Sequence, residues 1–212
     1  MSVIEVRNVV KKWGSNTVLD SVDLTAERSE IIGIIGHNGS GKTVLMKCIC
    51  GFITPDSGEI TVSGKRLGKD IDIPRNIGLI IETPGFLPNF SGLSNLWQLA
   101  KIRGKISKDD VRAVIKKVGL DPADKKHVGK YSLGMRQRLG IAQAIMEDPD
   151  VLILDEPMNG LDKNGVRDMR ELLLQLRDAG KTMIVASHNS VDIDVLCDRV
   201  FEITKGDLKR VR

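Results

Sequence analysis

A glycine-rich loop between an apolar strand and a helix constrains the fold of this chain more than any other feature. Residues 36–43 read GHNGSGKT and fit the pattern G-x-x-x-x-G-K-[ST] without a gap. Residues 30–35 before the loop are predicted to be a strand, and Val44, Leu45 and Ile49 after it indicate a helix. Strand, loop and helix in this order are the setting that such a loop needs to bind phosphate.

The loop has the chemistry required to hold a nucleoside triphosphate. Its glycines allow close approach of the backbone, and successive N–H groups and the helix N-terminus supply partial positive charge. Lys42 can reach the β- and γ-phosphates, and the Thr43 hydroxyl can ligate Mg²⁺. A purely structural turn is the minor alternative, since both flanking elements are present. The predicted nucleotide contacts are therefore Gly36, His37, Asn38, Gly39, Ser40, Gly41, Lys42 and Thr43.

The size and composition of the chain are those of one globular domain. Its 212 residues are 41% hydrophobic and 28% charged, which excludes disordered and collagen-like chains. No apolar run approaches the roughly 18 residues of a membrane span, and no secretory signal is visible. Three cysteines are too few for a disulfide framework or a zinc site. We therefore expect a cytoplasmic protein.

The net charge of +4 does not by itself indicate a nucleic-acid partner, but it is unevenly distributed. Residues 91–140 contain 12 Lys or Arg and 4 Asp or Glu, so they carry +8 and the rest of the chain carries −4. A run of this kind is usually a solvated helix surface. The alternative is a basic surface that faces phosphates or the anionic inner leaflet of a membrane.

The spacing of apolar residues divides the chain into segments with a strand pattern and segments with a helical pattern. Strands are predicted over residues 3–9, 17–25, 30–35, 59–63, 77–81, 151–154, 182–186 and 200–204. Helical spacing extends from about residue 92 to residue 145 and returns over 169–176. This alternation predicts an α/β core with a parallel sheet, interrupted by a helical insert. We expect a single domain, residues 1–212, with 1–81 and 146–212 as the core and 82–145 as the insert.

A second apolar strand, residues 151–154, ends in two adjacent carboxylates. In nucleotide-hydrolysing α/β folds the first carboxylate, here Asp155, holds Mg²⁺. The second, Glu156, can orient or deprotonate the attacking water. A GTPase is the alternative, because residues 162–165 fit D-x-x-G and residues 204–207 loosely fit a guanine-reading motif. However, D-x-x-G should follow the apolar strand directly, so we interpret that match as chance.

Five separated motifs together resemble those of the ATP-binding-cassette (ABC) ATPases over essentially the whole chain. Besides the phosphate loop and the acidic strand, residues 131–139 resemble the signature segment. Residues 159–162 resemble the D-loop, and Ser187 with His188 resembles the switch histidine. Trp13 occupies the place of the aromatic residue that stacks on adenine.

This resemblance implies a fold, two cofactors and further site residues. The implied fold is a P-loop NTPase core with a parallel sheet, an N-terminal antiparallel β subdomain and an inserted helical subdomain. The implied cofactors are ATP and Mg²⁺. Glu156 and His188 would be catalytic, with His188 contacting the γ-phosphate and holding the attacking water. Thr43, Glu82 and Asp155 would ligate the metal.

The resemblance also implies a head-to-tail dimer with two nucleotides between the subunits. Ser132 and Gly134 would contact the nucleotide bound to the opposite subunit, and Asp162 would lie at the seam. Two residues of the signature depart from the usual pattern, because Leu133 replaces a glycine and Met135 replaces a glutamine. We expect the γ-phosphate contact to persist through the retained Ser132 and Gly134.

A second departure narrows the family resemblance. Glu82 stands where ABC ATPases usually have a glutamine, and with residues 88–96 it resembles the bacitracin- and lantibiotic-type exporter ATPases. We hypothesise that Glu82 senses Mg²⁺ and the γ-phosphate. Phe86, Phe90 and Trp97 follow within a short stretch, and exposed aromatic side chains there would suit a pocket for a partner's helix. The alternative, more for Trp97 than for the two phenylalanines, is ordinary packing in the core.

The function expected from these features is ATP hydrolysis that drives a membrane exporter of a peptide antibiotic or another small compound. The expected partners are a permease in a separate chain and a second ABC ATPase chain, with no nucleic acid, at the inner face of the cell membrane. We expect no C-terminal regulatory domain. The alternative is a soluble ABC ATPase in cofactor assembly or nucleic-acid maintenance. A non-hydrolysing nucleotide sensor is disfavoured because Glu156 and His188 are both present.

Overall fold

The helices and strands follow the alternation expected from the sequence. The computed structural model describes residues 2–82 and 84–212. The strands are β1 (Ser2–Trp13), β2 (Asn16–Glu27), β3 (Ile31–Ile35), β4 (Ser57–Val62), β5 (Lys65–Arg66), β6 (Ile77–Ile80), β7 (Val151–Asp155), β8 (Thr182–Ala186), β9 (Arg199–Thr204) and β10 (Asp207–Arg210). The α-helices are α1 (Lys42–Ile49), α2 (Gly92–Arg103), α3 (Lys108–Lys117), α4 (Leu133–Ile145), α5 (Lys163–Asp178) and α6 (Ser190–Leu196), and a 3₁₀ helix spans Val128–Lys130.

The larger sheet has the strand order β10-β9-β3-β8-β7-β6. Its strands are parallel except for β10, which pairs antiparallel with β9. Ile80 of β6 lies opposite Leu154 of β7, and Asp155 lies opposite Ala186 of β8. The loops that follow β3, β6, β7 and β8 therefore leave the same edge of the sheet. In open parallel sheets this edge is where ligands bind.

The smaller sheet confirms the antiparallel N-terminal subdomain. Its strand order is β2-β1-β4-β5, and every pair in it is antiparallel. Strands β1 and β2 form a hairpin whose turn contains Gly14 at a positive φ of 59°, a conformation that glycine adopts without steric cost. Trp13, paired with Asn16, thereby comes to the tip of the hairpin.

Strands of the parallel sheet are buried on both faces because each face packs against a different layer. Along β7, Leu152 and Leu154 belong to an apolar core shared with the helices α2 to α5. Val151 and Ile153 belong to a second core shared with the antiparallel sheet and α1. Side chains alternate across a strand, so one short apolar run supplies both cores.

Helices α2, α3 and α4 lie between β6 and β7 in the chain and begin at serine N-caps. Ser91, Ser107 and Ser132 each accept a hydrogen bond from the third backbone N–H after them, which satisfies one of the free donors at a helix start. In the part of the chain that the structure describes, no helix combines the length and the apolar character that crossing a membrane requires.

The aromatic stretch before and within α2 is only partly exposed. Phe90 is exposed, whereas Phe86 and Trp97 pack against the helical core. Asn95 holds the preceding loop in place: its side chain accepts a hydrogen bond from Leu87 N at 2.8 Å and donates one to Leu87 O at 3.1 Å. Of these three aromatic residues only Phe90 is therefore exposed, and the partly buried Phe86 and Trp97 contribute aromatic area to the core instead.

Candidate functional site

A cleft of about 610 Å³ opens at the carboxyl ends of the parallel strands. Trp13 reaches it from the hairpin of the small sheet, and Gln137 reaches it from α4. Nine residues predicted from the sequence line this cleft: Trp13, Asn38, Gly39, Gly41, Lys42, Thr43, Glu82, Asp155 and Glu156. The cleft thus brings together the phosphate loop, the acidic strand end and the aromatic hairpin tip.

The phosphate loop is shaped by its glycines, and Gly36 has no room for a side chain. Gly36, Gly39 and Gly41 have positive φ angles of 148°, 78° and 114°. A Cβ on Gly36 would lie 2.4 Å from the carbonyl oxygen of Ile203, so only glycine fits there.

Lys42 and Ser40 fit a bound phosphate. Lys42 is only 8% exposed, and its Nζ donates hydrogen bonds to the carbonyl oxygens of Gly36 at 2.6 Å and His37 at 3.0 Å. The hydroxyl of Ser40 is buried with no hydrogen-bond partner among the described residues. Buried polar atoms normally have partners, so a phosphate oxygen suits this hydroxyl.

Thr43 and Asp155 form the pair predicted to hold Mg²⁺. The Thr43 hydroxyl donates a hydrogen bond to Asp155 Oδ2 at 2.9 Å, which joins the first turn of α1 to the end of β7. Mg²⁺ prefers hard oxygen ligands and is commonly held by one or two protein side chains together with phosphate oxygens. This hydroxyl and carboxylate, beside the phosphate loop, fit that description.

Glu156 is held by groups that come from β8 and the loop after it. Its backbone N–H donates to Ala186 O at 2.9 Å. Its Oε1 accepts a hydrogen bond from His188 N at 3.0 Å, and His188 Nδ1 lies 2.8 Å from the same oxygen. Glu156 also has a positive φ of 50°, which is uncommon for a residue with a side chain. The second carboxylate therefore points differently from Asp155 while both line one cleft.

His188 lines a neighbouring pocket rather than the main cleft. That pocket also contains Gly36 and His37 of the phosphate loop, and Asn38 lines both spaces. His188 is thus connected to the cleft through its contacts with Glu156 and through the shared loop. This arrangement places the imidazole at the boundary between the carboxylate and the loop.

The remaining predicted residues are not among the described residues that line the cleft. Ser132 is the N-cap of α4 and accepts a hydrogen bond from Met135 N at 3.2 Å. Asp162 is the N-cap of α5 and accepts one from Gly165 N at 2.8 Å. A Cβ on Gly134 would lie 2.8 Å from Gly160 O, so the signature and the D-loop touch within one chain.

Glu82 has a partner that sequence reasoning missed. Its side chain is 65% exposed and lines the cleft, and its Oε1 forms an ion pair at 2.5 Å with Nζ of Lys47 in the last turn of α1. The backbone of Glu82 is left-handed, with φ of 62°. Lys47 lies four residues after Thr43 in α1, so the two side chains share one face of the helix. This spacing is the signal in the sequence that places Lys47 near a site residue.

Gln137 is a second residue that the sequence did not single out. It is 8% exposed, and its Nε2 donates hydrogen bonds to the carbonyl oxygens of Glu156 at 3.1 Å and Pro157 at 3.0 Å. These bonds join the signature helix α4 directly to the acidic strand end. A glutamine within a helix has no pattern that predicts such a distant partner.

Comparison with known proteins identifies the family. The sequence profile of the ABC transporter family matches residues 19–159. The uncharacterized ABC transporter ATP-binding protein YybJ of Bacillus subtilis (strain 168) is 45% identical over 98% of this chain and 95% of that protein. The bacitracin transport ATP-binding protein BcrA of Enterococcus faecalis is 40% identical over 97% of this chain and 68% of that protein. The lantibiotic transport ATP-binding protein SrtF of Streptococcus pyogenes is 34% identical over 97% and 89%.

Solved structures share the fold over nearly the whole chain. The ATP-binding subunit of an ABC transporter superposes with a TM-score of 0.87 at 25% identity, covering 99% of this chain and 90% of that one. A dimeric bacterial ABC transporter cassette superposes with the same TM-score at 22% identity and covers 99% of both chains. The chain therefore belongs to the ABC transporter family and is an ATPase cassette of that family.

Proposed function

We propose that this cassette hydrolyses ATP to drive export of a peptide antibiotic or another small compound through a permease made by separate chains. The observation that carries the proposal is the convergence in one cleft of the Thr43–Asp155 pair and Glu156, which is hydrogen-bonded to His188. The relatives named for bacitracin and lantibiotic transport support the exporter class. Glu82, in place of the usual glutamine, supports the same class.

Each cleft residue has a distinct part in holding the nucleotide. Trp13, about half exposed at the hairpin tip, offers a flat face for the adenine base. Lys42 and the loop N–H groups bind the phosphates, while Thr43 and Asp155 would hold Mg²⁺. The metal, when bound, neutralises charge that develops on the β- and γ-phosphate oxygens.

Glu156 and His188 are suited to the hydrolytic step itself. An ionised Glu156 can accept a proton from water as the water attacks the γ-phosphate, or can orient it for that attack. The hydrogen bond from His188 N and the nearby His188 Nδ1 restrict the direction of the carboxylate, and such positioning lowers the barrier by fixing the attack geometry. His188 would in addition donate to the γ-phosphate, since its position borders both the loop and Glu156.

Hydrolysis is proposed to require a second cassette. Ser132 and Gly134, which are absent from the described lining of the cleft, would complete the site of the opposite subunit, with Asp162 at the seam. In this arrangement residues 1–81 and 146–212 form the nucleotide-binding core, and residues 82–145 form the part that meets the permease. The permease would hold the cassette at the inner face of the cell membrane.

Co-purification from membranes tests the proposal. The chain is tagged in its own cells, the membranes are solubilised in detergent, and the bound proteins are identified by mass spectrometry. We expect a protein with several hydrophobic spans to co-purify, both with the parent chain and with Lys42→Ala. Cells carrying Lys42→Ala should also become more sensitive to the exported compound. Recovery of the chain only with soluble cofactor-assembly or nucleic-acid proteins would contradict the proposal.

A further inference from the structure

One face of helix α1 presents two polar side chains, each bonded to a carboxylate from the edge of the parallel sheet. Thr43 donates to Asp155 at the end of β7, and Lys47 pairs with Glu82, two residues after the end of β6. Residues four apart lie one above the other on a helix. Because β6 and β7 are neighbours in the sheet, the two contacts are equivalent links from one helix to two adjacent strand ends.

The two links differ in what their carboxylates can do. Asp155 continues a buried strand and has its position fixed by the ladder to β8. Glu82 lies beyond the end of β6, is largely exposed, and is held by an ion pair in which Lys47 is also partly exposed. Exposed pairs of this kind contribute little to stability, because water and salt screen them and both long side chains lose rotamer freedom. The Glu82 carboxylate can therefore exchange partners at small cost.

The charges around the cleft make a second partner for Glu82 available. Glu82, Asp155 and Glu156 all line it, so three carboxylates face the cleft that would hold the metal, although they are not gathered into one cluster among the described residues. Lys47 neutralises one of them. A divalent cation held by Thr43 and Asp155 attracts an anionic oxygen more strongly than a screened ammonium does, because Mg²⁺ prefers hard, charged oxygen ligands.

We infer that Lys47 is a positioning residue that competes with Mg²⁺ for the Glu82 carboxylate. When Lys47 holds the carboxylate, Glu82 is directed toward α1; when Mg²⁺ and nucleotide bind, the ion pair opens. The inference rests on the proposed function only in requiring that the cleft binds Mg-ATP. Glu82 would then contact Lys47 in the unbound state and Mg²⁺ in the bound state. A ligand can shift a conformational equilibrium only through such a difference in contacts between two states.

Exchange at Glu82 would reach the helical part of the chain through the next described residues. Pro84 lines the cleft together with Glu82, and a Cβ on Gly140 of α4 would lie 2.7 Å from Pro84 Cγ. Pro84 is therefore packed closely against α4. Movement of Glu82 between Lys47 and the metal would therefore shift Pro84 against α4.

A zero-length carbodiimide cross-linker tests the exchange directly, because it converts a contacting Lys–Glu pair into an amide. The purified chain is treated in four conditions: alone, with Mg²⁺, with a non-hydrolysable ATP analogue and EDTA, and with the analogue and Mg²⁺. Mass spectrometry then measures the peptide joining Lys47 to Glu82. We expect the cross-link in the first three conditions and its loss, by about three-fold or more, in the fourth, because a ligand that binds one state shifts the population toward it.

Controls separate this inference from general effects of the reagent and from the proposed function. Lys181 and Asp148 form a pair at 2.8 Å away from the cleft, so their cross-link should be unchanged in all conditions. Binding of the analogue is measured in the same samples by equilibrium dialysis. An analogue that binds while the Lys47–Glu82 cross-link persists overturns the inference alone. An analogue that does not bind overturns the proposed function and the inference with it.

Two variants of Lys47 provide a readout that a merely structural role would not change. Lys47→Arg preserves the ion pair, whereas Lys47→Gln removes it. In Mg²⁺ titrations at a fixed concentration of the analogue, followed by tryptophan fluorescence, Lys47→Gln should lower the half-saturating Mg²⁺ concentration by about three-fold or more, because it removes the state that competes with the metal. Lys47→Arg should stay close to the parent. Equal half-saturation in the parent and in Lys47→Gln would overturn the competition.

Discussion

At the scale of the single residue, the chemistry of the cleft depends on how Glu156 is held. Glu156 has a left-handed backbone conformation, with φ of 50°. Such a conformation raises the free energy of the folded state by about 1–3 kcal/mol and persists only where neighbouring contacts enforce it. Here the enforcing contacts are the bond from its N–H to Ala186 and the two contacts with His188. The strain therefore serves to direct one carboxylate independently of Asp155.

Replacing Glu156 by glutamine should separate binding from hydrolysis. Glu156→Gln keeps the shape of the side chain but removes the basic carboxylate, so ATP binding should survive and turnover should fall by about 10²-fold or more. An ATP-bound dimer should accumulate. Steady-state ATPase assays and nucleotide binding measure this, with Glu171→Gln on the exposed surface of α5 as the control. Near-normal turnover in Glu156→Gln would refute the assigned role.

The three cysteines make a pH-dependent contribution to stability. Burial raises the pKa of Cys48 to about 11 and the pKa values of Cys50 and Cys197 to about 12. The thiol of an unfolded chain has a pKa of about 8.5. Above pH 9 the unfolded chain loses thiol protons that the folded chain retains, so the free energy of unfolding should fall as pH rises.

Urea titrations at pH 7.5 and pH 10 measure this loss. Each thiol should contribute up to about 1.4 kcal/mol per pH unit between the unfolded and folded pKa values. A variant with all three cysteines changed to alanine should be less stable at pH 7.5 but should lose less stability on going to pH 10. An identical loss in both proteins would show that the thiols are not responsible.

At the scale of the element, an ion pair with a buried carboxylate joins α5 to α6 shortly after His188 in the chain. Arg170 Nε and Nη2 both donate to Asp192 Oδ1, at 2.9 Å and 2.5 Å, and Asp192 is only 2% exposed. Helix α6 begins two residues after His188, so this pair fixes the helix that follows the switch loop.

Removing the arginine should leave a buried carboxylate without its counter-charge. Arg170→Ala should lower the free energy of unfolding by about 3–5 kcal/mol. Arg167→Ala, which removes an exposed partner of Asp168 one turn earlier on the same helix, should change it by less than about 0.5 kcal/mol. Chemical denaturation of both variants measures the difference. Equal stability of the two would mean that the buried pair does not hold α6.

At the scale of the whole molecule, the signature lies partly inside the cleft and partly outside it, because Leu133 and Arg136 line the cleft while Ser132 and Gly134 do not. Lys42 and Thr43 lie in the cleft, whereas Ser132 lies at the exposed start of α4. Leu133, which replaces the usual glycine of the family, packs against Gly160, where a Cβ would lie 2.4 Å from its Cγ. This contact holds the signature next to the D-loop.

Mixing two inactive chains should restore activity if the signature acts across a dimer. Ser132→Arg should block hydrolysis while leaving ATP affinity nearly unchanged, and Lys42→Ala should block binding. Their mixture should recover part of the parent ATPase rate, because one composite site has an intact half from each chain. ATPase assays of the variants alone and mixed measure this. A rate linear in protein concentration, with no recovery on mixing, would indicate a monomeric mechanism.

The sequence by itself determined the features that are formed by residues adjacent in the chain. The phosphate loop is contiguous, its strand and helix adjoin it, and Asp155 and Glu156 directly follow an apolar run. The two periodicities likewise separated strands from helices, because side-chain alternation and helical spacing are local properties. The family and the fold followed from the order of these local motifs.

Only the tertiary structure decided which side chains meet. Thr43 and Asp155 are 112 residues apart, Lys47 and Glu82 are 35 apart, and Gln137 bonds the backbone of Glu156 across 19 residues. These contacts depend on the strand order of the sheet and on where α1 and α4 pack against it, which no local pattern encodes. The same packing buries Trp97 partly in the helical core, where sequence alone left its exposure open.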